Sequence, residues 1–122
     1  MERIEEFVLE GKSFMYIDLS NLTANDEFLN QIALIEPLIA KYPENSLYTV
    51  TNIDNVRFDT KSKDIVAQFM AHNKPYVNYG AIFGLDGIKK VMVTVIMKMS
   101  GRTNFHFAFS KEKAIEWLLQ HD

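Results

Sequence analysis

A chain of 122 residues, 48% hydrophobic and 24% charged, has the size and apolar share of one soluble domain with its own core. Thirteen basic against sixteen acidic side chains leave a formal charge of −3, which argues against general nucleic-acid binding. With no cysteine, disulfides, thiolate nucleophiles and zinc–thiolate centres are excluded.

The N-terminal MERIEEFVLEGK carries charges where a secretory leader needs an apolar core. No run approaches the roughly 18 apolar residues of a membrane span. These features predict a cytoplasmic protein without stable membrane insertion. Glu5 to Leu9 and Phe14 to Leu19 are β-rich and flank Glu10-Gly11-Lys12. Apolar side chains at every second position (Phe7, Leu9; Met15, Ile17, Leu19) predict a hairpin closed at Gly11. A helical stripe follows through Phe28, Ile32, Ile35, Ile39 and Tyr42, with Asn25 or Thr23 as cap and a bend expected at Pro37. Tyr42-Pro43-Glu44-Asn45 stops it.

Leu47 to Ile53 (LYTVTNI) reads as a strand, and Lys61 to His72 as a helix with Ile65, Val66, Phe69 and Met70 inward, ended by Asn73-Lys74-Pro75. Tyr76 to Phe83 is the next strand. The stretch Leu85 to Ser100 has strand-like composition in VMVTVIM, but its length and the recurrence of Leu85, Ile88, Val91, Val95 and Met99 predict a helix, stopped at Gly101. Phe105 to Phe109 forms a short strand, with His106 pointing opposite to its phenylalanine neighbours. Ser110 caps a last helix whose Ala114, Ile115, Leu118 and Leu119 cover the sheet. The order ββαβαβαβα implies an α/β fold: a mixed, mostly parallel sheet with an antiparallel N-terminal hairpin.

That order, together with LYTVTNIDNVRFD, HNKPYV, IFGLDGIKKV and SKEKAIEWL, resembles the uncharacterised bacterial SpoIIAA-like proteins of the STAS superfamily, which includes the anti-sigma factor antagonists; part of the group is linked to the CRAL-TRIO lipid-binding fold. The resemblance spans essentially the whole chain and implies a single SpoIIAA-like (STAS) domain. In the antagonists, an acidic residue, two serines and a glycine open a helix, and one serine accepts phosphate. Aligned by Phe58, Ser62 falls near that phosphoacceptor, Thr60 at the aspartate position and Lys63 at the glycine position. The acidic-serine-serine-glycine pattern is thus not kept. Ordinary capping by Asp59 or Thr60 accounts for the same residues.

Nothing in the sequence assembles a catalytic site. The three histidines, His72, His106 and His121, have no metal-ligand spacing, and Asp18 and Asp54 read as turn residues after strands. No phosphate or dinucleotide motif occurs, so neither a cofactor nor a metal is expected. In the helix after Gly87, helical spacing assigns Leu85, Ile88, Val91, Met92, Val95, Ile96 and Met99 to the core. It leaves Val93 and Met97 outside, flanked by Lys89, Lys90, Lys98 and Arg102. That combination predicts either a docking surface, most simply for a second copy, or a broader buried face. Tyr76, Tyr79 and Phe83 are core aromatics or the lining of a pocket between sheet and helix. Two functions follow as expectations: a non-enzymatic regulatory module for an unknown protein partner, or a carrier or sensor of an apolar or amphipathic ligand such as a fatty acid or lipid.

Overall fold

A computed structural model of the chain describes residues 3–22, 26–57, 60–101 and 104–121, with side chains for all of these except 26, 27, 60–63, 88, 89 and 92. The elements run β1 (Ile4–Leu9), β2 (Lys12–Asp18), α1 (Asp26–Ile39), β3 (Leu47–Asn52), α2 (Thr60–Asn73), β4 (Val77–Phe83), α3 (Gly87–Ser100), β5 (Phe105–Phe107) and α4 (Lys111–Leu119). The fold is α/β, and the segment Val91 to Met97 is helical despite its β-branched composition. The residues proposed to cap α1, Asn25 and Thr23, lie outside those described.

Local chemistry accounts for the ends of these elements. The two-residue turn Glu10-Gly11, with φ of 51° and 77°, joins β1 to β2 in a register from Leu9↔Lys12 to Ile4↔Ile17. Positive φ at both turn residues matches the twist of the flanking strands, and glycine adopts it without cost. Ser110 accepts a hydrogen bond from Lys113 N at 3.1 Å and so caps α4. Gly101, at φ 75°, ends α3 and donates to Lys98 O. Pro37 stands inside α1 without an N–H to offer the carbonyl of Ala33.

The five strands lie in the order β1-β2-β3-β4-β5; β1 pairs antiparallel to β2, and every other pair is parallel. Each parallel step goes to the adjacent strand in the same direction. Right-handed crossovers of that kind place every connecting helix on one face. Accordingly Phe28, Ile32, Ile35 and Ile39 of α1, Phe69 of α2 and Val93 of α3 share a core with Met15, Ile17, Leu47, Val77 and Ile82 of the sheet. The opposite face belongs to α4, whose Ala114 and Leu118 close over Phe14, Tyr48, Val50 and Ala81. Lys12 Nζ ties the end of α4 to the hairpin through Leu119 O (3.0 Å) and His121 O (2.8 Å).

One irregularity decides which way β4 faces. Leu47 pairs with Val77, but Tyr48 pairs with Tyr79, so Asn78 is an extra residue in the ladder. The Asn104 amide donates to the carbonyls of both Val77 (3.1 Å) and Asn78 (2.6 Å), and Asn78 Nδ2 donates to the Tyr48 hydroxyl (3.0 Å). Val77 consequently faces the three-helix side, whereas Tyr79, Ala81 and Phe83 face α4.

Candidate functional site

α3 is apolar nearly all round, and its placement against α2 selects which side stays wet. Ile96 is fully buried against Ala67 and Met70 of α2, Val93 is 4% exposed, and Met97 is half-buried. Val91, Val95 and Met99 are 66%, 42% and 50% exposed. The expected phase is therefore overturned for Val93: it is core, and the apolar residues on the wet side are Val91, Val95 and Met99. The physical reason is that α3 has no continuous polar face to orient it. Periodicity alone supports two phases, and contact with α2 selects between them.

The exposed residues stand at i, i+4 and i+8, forming one ridge about 12 Å long at 1.5 Å per residue. Three of the seven exposed large apolar side chains among the described residues belong to this one helix, which marks the ridge as a concentration rather than scatter. Lys90 and Lys98 are exposed along the same helix, and the Lys90 ammonium lies 5.6 Å from the Phe107 ring centroid. Asp64, Ala67, Gln68 and Ala71 of α2 surround Met99 in a shallow groove. The Lys89 side chain and Arg102 lie outside the described residues. Another apolar side chain, Phe109, is 99% exposed just before α4; the strand expected over Phe105 to Phe109 ends at Phe107.

Thr60 and Ser62 occupy the first turn of α2 by backbone; their side chains, like Asp59, lie outside the described residues. Tyr76, Tyr79 and Phe83 do not line a pocket against α3. The bulge at Asn78 turns Tyr79 and Phe83 toward α4, where Tyr79 meets Trp117 edge-on at 5.8 Å, and Tyr76 packs near the His72 ring at 6.0 Å. A cavity does exist between the sheet and the helices, but Thr49, Thr51, Phe69, Ile82, Val93 and Ile96 are among the residues that line it.

The two strand-following aspartates act in turns or at the surface. Asp18 Oδ1 accepts from Ser20 N at 2.9 Å, and Asp54 is exposed with its N–H donated to Asn52 Oδ1. His106 stacks on Trp117 at 4.5 Å, which in turn stacks on His121 at 3.8 Å. Burial, and then the neighbouring His121, push the His106 imidazole below its ordinary pKa. Among the described residues no group of three or more His, Asp or Glu could hold a metal ion, and no helix is long and apolar enough to cross a membrane. No protein-family model matches the chain, and no curated protein matches it.

Proposed function

We propose that this chain is a non-enzymatic regulatory module of the SpoIIAA-like, STAS type that binds another protein through the outer face of α3. The observation that carries the reading is the ridge Val91–Val95–Met99, with exposed Lys90 and Lys98 on the same helix. An apolar centre with cationic flanks suits a partner surface with apolar pockets and an acidic rim. Methionine at the end of the ridge adapts its shape to such a partner. A second copy of the chain is one form the partner can take.

The test pairs sedimentation velocity with retention of proteins from a lysate of the source cells. Wild-type protein is expected to self-associate or to retain a partner. Val95→Glu and Met99→Glu should abolish that association while leaving the circular dichroism spectrum unchanged. A monomer that retains nothing, or equal retention by both variants, overturns the proposal.

A further inference from the structure

The cavity between the sheet and the three-helix face has a volume of about 60 Å³, several times the roughly 10–15 Å³ that a single water requires. It exists because the central strands carry small side chains toward α2. Thr49 of β3 sits beside Gly80 of β4, where a Cβ would come within 2.8 Å of Thr49 Oγ1 and would also strike the Phe105 ring, and Thr51 pairs with Ile82 one step along the same face. Around this floor Ile17, Phe69, Ile82 and Ile96 form apolar walls. Besides Thr51, two buried polar side chains interrupt them. Thr49 is 4% exposed, and its hydroxyl has no hydrogen-bond partner among the described residues. Asn73 is also 4% exposed; its Oδ1 meets His72 Nδ1 at 2.9 Å, while its Nδ2 has no partner among the described residues.

A buried amide or hydroxyl without a partner loses its hydration with nothing in return, so such groups are ordinarily satisfied by protein or by something bound. We propose that this cavity binds a small, uncharged amphiphile, with a hydrocarbon body of a few carbons and one hydroxyl or carbonyl oxygen that meets the Thr49 hydroxyl and the Asn73 amide. Size excludes a long acyl chain, since ligand pockets for larger molecules span about 300–1,000 Å³. The lining also disfavours charge: among the described residues it contains no Lys, Arg or His to pair with a buried carboxylate. A fatty acid or lipid headgroup therefore does not fit, whereas a short alcohol, ketone or primary amide does. This site is separate from the outer face of α3.

The experiment is an amide-resolved NMR titration of the whole chain with 1-butanol and butanone as neutral probes and butyrate as their charged counterpart. Saturable shifts at Thr49, Gly80, Ile82 and Ile96 are expected for the neutral probes and not for butyrate, and Val95→Glu should leave them unaltered. Thr49→Val, which removes the hydroxyl but keeps the shape, should weaken butanone binding at least fivefold; Thr49→Leu should fill the space and abolish it. Linear, unsaturable shifts, equal binding of butyrate, or ordered water that neither probe displaces would each overturn the proposal. If Thr49→Val does not fold, the contrast between butanone and butyrate in the wild type decides alone.

Discussion

Trp117 lies between two imidazoles, His106 on one side and His121 on the other, with Tyr79 at its edge. Because His106 has a lowered pKa when folded, the unfolded chain takes up a proton first as the pH falls. Its contribution to stability is thus present above about 6.5, the unfolded value, and is lost as the pH falls through the lowered folded value. Urea unfolding between pH 5 and 8, followed by emission of the single tryptophan, should show a shallower acid limb for His106→Gln than for the wild type. Tyr42 gives the opposite limb. Its hydroxyl donates to Glu6 Oε1, and burial, followed by that hydrogen bond and the Glu6 charge, pushes its phenol up to about 12. The raised phenol contributes stability below pH 10, its unfolded value, and loses it as the pH rises from 10 toward 12. Tyr42→Phe should flatten this alkaline loss, read by thermal unfolding across that range. At Leu118, fully buried over Phe14 and Val50, truncation to alanine should cost about 2–5 kcal/mol in chemical unfolding.

At the scale of the element, the orientation of α3 is the most informative test. Ile96→Ala should destabilise by about 2–5 kcal/mol, whereas Val91→Ala should stay within about 0.5 kcal/mol; equal losses would mean that the helix is turned otherwise. Helices with one clear apolar stripe were legible from the sequence: Phe28, Ile32, Ile35 and Ile39 of α1 are all buried, as are Ala114 and Leu118 of α4. The caps at Ser110 and Gly101 were legible too, because each depends on local backbone chemistry. The facing of α3 was not, since Val91, Val93, Val95 and Met97 offer apolar groups in several directions and only α2 chooses among them. Nor was the facing of Tyr79. Strict alternation from Val77 places both on one side, and the extra residue at Asn78, held by the Asn104 amide from a distant segment, reverses it. The cavity is not legible in the sequence because it arises from the register that sets Thr49 beside Gly80, a pairing between segments about thirty residues apart that no local window contains.

For the whole molecule, strand order in space equals strand order in the chain, and among the described residues α1, α2 and α3 cover one face and α4 the other. Removing residues from Lys111 onward should leave Phe14, Tyr48, Val50 and Ala81 facing water. Such a truncated chain is expected to bind a hydrophobic dye and to aggregate, checked by fluorescence and light scattering. The arrangement also sets a schedule. As the chain is synthesised, each new strand finds its neighbour already present, so the sheet can grow at one edge without waiting for a distant partner. Its first face is covered step by step as each crossover helix follows its strand. The second face has to wait for α4 and the Lys12 contacts that secure its end, so the interval before α4 emerges is when a nascent chain is most vulnerable to a chance neighbour.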